Sequence, residues 1–270
     1  MLPDLYTALN LPPAKAMEYF TAKGYTLSWD WHDVWQDAHA HAFTVAKVAR
    51  MDILQDIRDS VNKAIEDGIT FTEFRKQLEP TLRAKGWWGK QMLMDENGQG
   101  TQVQLGSPWR LRTIYDTNVQ TAYMAGRYKS QIDNADDRPF WQFVVVLDSR
   151  TSRICTPLAG LVFRYDDPIW DSLYPPNHWR CRTRVRALSA DDLDDAGIST
   201  ESSEGKLYVA QRQVSKSSDK VVDVTGYRAA SGKTIEPDPG WSYNPGKAKW
   251  APDLDKYDAD IRALFDKENQ

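Results

Sequence analysis

The chain is poor in the residues that staple or ligate: two cysteines and four histidines in 270 residues. That count excludes the dense disulfide framework of small secreted domains, and any metal site must draw on very few soft ligands. Long apolar runs are missing too. No window approaches the roughly 20 apolar residues of a membrane span. The start, MLPDLYTALN, lacks both the basic patch and the apolar stretch of a secretion signal. The sequence therefore predicts a protein made and kept in a cytoplasm, at least initially, with no membrane partner. Also absent are GxGxxG, a P-loop, GxSxG and HExxH, which removes the signatures of dinucleotide binding, NTP hydrolysis, serine hydrolases and zinc proteases. A net charge of −4 gives the molecule no overall pull toward nucleic acid or anionic lipid.

What is present is concentrated. Asp148 to Arg186 holds both cysteines, Cys155 and Cys181, together with His178. Arginines follow at 180, 182, 184 and 186. From Arg138 to Leu188 eight arginines face four aspartates, so this stretch is locally basic in an acidic chain. Eleven tryptophans serve either a core or partner surfaces.

Periodicity predicts an α+β fold. The N-terminal region, 1–106, reads as helical. Pro12 and Pro13 open a short helix that Gly24 ends. Apolar residues from Val34 to Ile65 predict a long helix over 31–67, stopped by Gly68. Thr70 caps the next, with Glu73 completing a capping box and Pro80 kinking or splitting it. The polar stretch 94–106 predicts a turn or exposed hairpin. A core module, 107–190, begins with a helix capped by Ser107 and opened by Pro108. Thr113, Thr117 and Thr121 share one face of it, beside a strip of Ile114, Ala122 and Ala125. Strands are predicted at FWQFVVVLD, at the end of TPLAGLVFRY and in RCRTRVRAL. The remainder, 191–270, reads as an extended tail with a short strand and an acidic helix over 253–267.

Thiolate and imidazole are zinc ligands, and His178 and Cys181 lie three apart, with Cys155 arriving from a strand end and Asp148 the nearest candidate fourth ligand. The same residues also fit two buried small side chains beside a histidine that bonds a loop carbonyl, or a disulfide. The segment contains no glutamate to act as a base, so a metal here reads as structural zinc rather than catalytic. In an extended chain Arg180, Arg182, Arg184 and Arg186 share a face that could meet phosphates, an acidic partner or acidic groups of its own chain. His32, His39 and His41 read as surface or packing residues.

The helix RTIYDTNVQTAYMAGR, then WQFVVVLDSRTSRICTPLAGLVF, then PPNHWRCRTRV resembles the phage Mu protein F-like family. The resemblance rests on Arg112, Thr113, Ala122, Gly126, Arg127, Asp148, Thr151, Cys155, Leu158, Gly160, Pro175, Pro176, His178, Cys181 and Arg182. It departs at Thr183, where the family often has a further cysteine. QLEPTLRAKGWWG and PDPGWSYNPG look like the Mu-type branch. The resemblance implies a non-enzymatic minor head component of a tailed phage or prophage. Its implied partners are the portal protein, major capsid or scaffold proteins and packaged DNA, inside the procapsid or virion. The competing readings are a zinc-dependent nucleic-acid-acting enzyme centred on the Cys/His cluster and a free DNA-binding module.

Overall fold

Two aromatic-rich cores share one long helix. The computed structural model describes residues 13–27, 41–48, 50–94, 100–215 and 218–250. In chain order the described elements are helix α1 (Pro13–Thr21), the short strands β1 (Gly24–Tyr25) and β2 (Ala42–Phe43), and helices α2 (Met51–Asp67) and α3 (Phe71–Ala84). Hairpin β3 (Lys90–Met94) and β4 (Gly100–Gln104) leads into helix α4 (Pro108–Ile132). Strands β5 (Phe140–Val144), β6 (Val162–Arg164) and β7 (Arg184–Leu188) follow, with helix α5 (Ile169–Leu173) before β7. Then come helix α6 (Ala190–Ala196), strands β8 (Leu207–Ser215), β9 (Ser218–Arg228) and β10 (Thr234–Ile235), and helix α7 (Pro245–Trp250). The α+β expectation holds.

The first core is helical. Tyr19 and Phe20 of α1, Leu54, Ile57 and Val61 of α2, and Phe74, Leu78 and Leu82 of α3 are buried against Leu111, Ala122 and Ala125 of α4. The strip of small residues on α4 does here what its size allows. A Cβ on Gly126 would stand 3.0 Å from the Ala16 amide nitrogen, so α1 crosses α4 at backbone contact and only glycine fits without a shift.

The continuous helix over 31–67 is corrected. Residues 31–40, with His32 and His39, lie outside the described residues. Phe43 stands in a strand and Val48 closes a turn onto the Val45 carbonyl, before α2 begins at Met51. Phe43 and Val45 are two apart, and both are buried from an extended chain rather than a helix. Pro80 neither splits nor ends α3. It lies on the exposed side, where water can take the carbonyl its missing N–H leaves free. Thr70 caps α3 by accepting from the Glu73 amide, and Ser107 caps α4 by accepting from the Arg110 amide.

The second core sits beneath a small antiparallel sheet ordered β6-β5-β7. Trp141, Phe143, Phe163, Trp170 and Tyr174 pack there as a ring cluster, with Phe143 and Trp170 centroids 4.7 Å apart. β7 is an edge strand, and α4 covers its open side. Gln120 Nε2 donates to the Thr183 carbonyl and Gln131 Nε2 to the Val185 carbonyl, both at 3.1 Å. Those bonds occupy acceptors that an edge would otherwise offer to another chain.

The C-terminal segment is not an extended tail over its described length. β8, β9 and β10 form a second three-stranded sheet. Tyr227, Ala229 and Ile235 complete the ring-cluster core. The acidic stretch 253–267 lies outside the described residues. Of the tryptophans whose side chains are described, Trp87, Trp141, Trp170 and Trp241 are buried, Trp88 is half-buried, and Trp109 and Trp179 are exposed.

Candidate metal centre

Three turns bring the Cys/His cluster together. After β5 the chain reverses at Asp148, whose Oδ1 accepts from the Arg150 amide while Thr151 Oγ1 donates to the Val146 carbonyl. The next turn, closed by the Cys155 amide on the Ser152 carbonyl, drops Cys155 into the interior at 2% exposure. From the other side, the loop after α5 passes through a cis Pro175–Pro176 peptide to His178. There the Cys181 amide bonds the His178 carbonyl, with Arg180 in the left-handed region at φ 60°. That turn folds Cys181 back under His178, and the ligand atoms of Cys155, His178 and Cys181 all lie within 4.8 Å of one another.

The detailed distances are informative. Cys155 Sγ stands 3.7 Å from Cys181 Sγ and 3.2 Å from His178 Nε2. A disulfide bond is about 2.05 Å long, and both thiols are free. His178 Nδ1 lies 2.9 Å from the Trp179 carbonyl. A carbonyl can only accept, so Nδ1 carries a proton. In the neutral ring, the Nε2 lone pair is then aimed at the sulfurs.

Charge is divided unequally in the cluster. The hydrogen bond with Cys181, reinforced by burial, pushes the Cys155 thiol up. Burial alone would raise Cys181 as well, but hydrogen bonds from Cys155 and His178 outweigh it and bring Cys181 down. Burial opposes charge on His178, and its contacts with Cys181 reverse that and raise it. A bound metal would hold both sulfurs as thiolates.

Asp148 is not a member of this group. Its carboxylate is held by Arg182 through Nη1–Oδ2 at 2.8 Å and Nη2–Oδ1 at 2.6 Å. The arginines that follow the cysteine also have assignments. Arg182, Arg184 and Arg186 alternate with the buried Cys181, Thr183 and Val185, as an extended chain requires. Arg180, with its positive φ, leaves that row. Its Nη2 donates to Thr113 Oγ1 at 3.1 Å, and its guanidinium lies over the Trp109 ring. Arg186 Nε donates to Gln142 Oε1 at 2.7 Å, across the β5–β7 pairing.

Three contributors to the cluster have no motif in the sequence. Ser152 and Thr183 hydroxyls hydrogen-bond Cys155 and partly offset its rise. Asp238, beyond β10, docks its amide on the Asn177 carbonyl, and its carboxyl feels the charge of His178. The one signal for Asp238 was its place in PDPGWSYNPG.

Residues 55–186, which include all three turns and the cluster, match the family described as phage Mu protein F like protein. The chain is 46% identical over 258 residues to protein F of Escherichia phage Mu, whose name assigns it provisionally to capsid assembly. That alignment covers 93% of the chain and 58% of the Mu protein. The chain is also 42% identical over 232 residues to the FluMu F protein of a Mu-like prophage of Haemophilus influenzae, covering 84% of the chain and 55% of that protein. The chain thus spans a little over half the length of these curated relatives. No solved structure matches it. Over this matched span, and by identity that runs on into the C-terminal sheet, the chain is similar to the phage Mu protein F-like family.

Proposed function

We propose that this protein acts in phage head assembly, as a minor component that binds other head proteins and turns over no substrate. The observation that carries the reading is the 46% identity, spread over 93% of the chain, to a protein named for capsid assembly. Identity at that level extends across both cores, so the relative and this chain share the whole described framework rather than one motif.

The finer assignment is to the portal vertex, with roles in assembly, packaging or delivery of DNA. Two features support it. The helical core and the arginine-bearing module are joined through α4, which lets one end dock on protein while the other faces DNA. The module is also locally basic, with Arg150 largely exposed on the loop after β5. Arg180, Arg182, Arg184 and Arg186 are proposed to bias that face toward phosphate even while held by their own chain.

The test is quantitative mass spectrometry of procapsids and mature heads from the phage or prophage that encodes the chain, alongside portal and major capsid protein. A few copies per particle that track the portal are expected. Absence from both particles overturns the reading. For the DNA face, affinity should fall steeply with salt, and charge reversal at Arg150 should weaken it; unchanged affinity removes DNA from the proposal.

A further inference from the structure

Cys155, Cys181 and His178 are spaced for a metal ion. Zinc–sulfur bonds of about 2.3 Å in a tetrahedron put two sulfurs about 3.8 Å apart, and a sulfur and an imidazole nitrogen about 3.5 Å apart. The observed separations are 3.7 Å between the sulfurs and 3.2 Å from Cys155 Sγ to His178 Nε2. The nitrogen needs a few tenths of an ångström of adjustment, and the sulfurs need none. A second observation is independent of those distances. His178 Nδ1 is tied to the Trp179 carbonyl, the outer contact that orients a ligating histidine and fixes its tautomer.

The fourth position is decided by what is already engaged. Asp148, the nearest carboxylate to the cluster on the Cys155 loop, is bonded at both oxygens by Arg182 and at Oδ1 by the Arg150 amide. In its place a shallow cleft opens over Cys155 and His178, rimmed by Arg150, Arg180 and Arg182. Two thiolates neutralise a divalent ion, so the arginines supply what attraction the cleft has for an anionic oxygen.

We infer that Cys155, Cys181 and His178 bind one Zn2+, whose fourth position faces this arginine-rimmed cleft and takes an exchangeable oxygen ligand from solution. The metal pins the loop after β5 to the loop before β7, and the open position gives the module a small oxyanion site. The inference does not rest on the head-assembly reading, because it is tested on the isolated chain.

The full chain, purified under reducing conditions, is expected to retain about one zinc per molecule by elemental analysis. After chelation, Co2+ should restore a tetrahedral visible spectrum with a thiolate charge-transfer band. Phosphate added to the cobalt form should shift the visible bands. Asp148→Asn should keep both the metal and the shift. His178→Ala and Cys181→Ser should weaken zinc binding by more than about 100-fold. Failure of the reduced wild-type chain to take up zinc or cobalt stoichiometrically overturns the site. A cobalt spectrum indifferent to phosphate, and altered in Asp148→Asn, overturns the open position and makes Asp148 the fourth ligand. The wild-type readouts hold even where a ligand variant fails to fold.

Discussion

Arg182 grips Asp148 with two parallel hydrogen bonds, and so ties the strand-side arginine of one loop to the turn that delivers Cys155 on the other. The geometry is the bidentate fork that guanidinium offers and an ammonium does not. The bond from Arg182 and the Arg150 amide hold the Asp148 carboxyl well below the usual carboxylate range. A lowered folded-state value means stabilisation that is complete above the ordinary 3.8 and is lost as pH falls toward the folded value. Arg182→Lys should therefore loosen the loop after β5, read as faster amide exchange at residues 148–155. Asp148→Asn should remove the part of the acid sensitivity that begins below about pH 4.

Alkaline pH tests the second core. Burial first, then the charge of Asp171, pushes Tyr128 up to about 12 from an ordinary 10.0. A raised value favours the protonated ring in the folded state. Stabilisation is then complete below pH 10 and falls as pH rises from 10 toward 12. Urea midpoints measured from pH 9 to 12 should drop, and Tyr128→Phe should make that drop shallower.

The crossing of α1 and α4 depends on one missing side chain. Gly126→Val places carbon where the Ala16 amide nitrogen stands 3.0 Å from the Cβ position. Backbone cannot give way as a flexible side chain does, so overpacking should cost about 1–3 kcal/mol in thermal or denaturant unfolding. A variant as stable as wild type would mean that α1 does not pack as described.

The C-terminal sheet should be separable into a part that holds the core and a part that does not. Tyr227 is fully buried, its ring 5.6 Å from Phe163 and its hydroxyl donating to Glu201 at 2.6 Å. Tyr227→Ala should cost about 3–5 kcal/mol, from the cavity and the orphaned carboxylate together. Val209, 66% exposed on β8, should tolerate serine within about 0.5 kcal/mol.

Asn244 gives a finer test of the same docking. It is 3% exposed, donates to the Trp170 carbonyl at 2.9 Å, and accepts from the Gly246 and Lys247 amides at the start of α7. Asn244→Ala removes a helix cap and leaves a buried carbonyl unpaired, for about 1–3 kcal/mol. An unchanged melting temperature would show that α7 is not anchored to α5.

Local chemistry was legible in the residues wherever it acts over one turn of chain. Ser107 and Pro108 start α4, Gly68 ends α2, the polar stretch before Gly106 joins a hairpin, and alternation puts Cys181, Thr183 and Val185 inside. The long helix over 31–67 failed because Phe43, Val45 and Val48 mimic helical spacing while being buried from a strand and a turn. Periodicity cannot separate those cases over so few residues.

By itself the sequence showed that both cysteines and one of the four histidines fall in one segment, and it carried the resemblance to the Mu F-like family through the residues around them. Tertiary structure alone decided three things. Asp148 serves Arg182 rather than the cluster, Arg180 leaves the arginine row, and the C-terminal strands close the second core. The physical reason is the same in each case. A side chain's partner is chosen by proximity across distant segments, and a pairing such as that of residues 148 and 182 leaves no periodic trace in the chain that makes it.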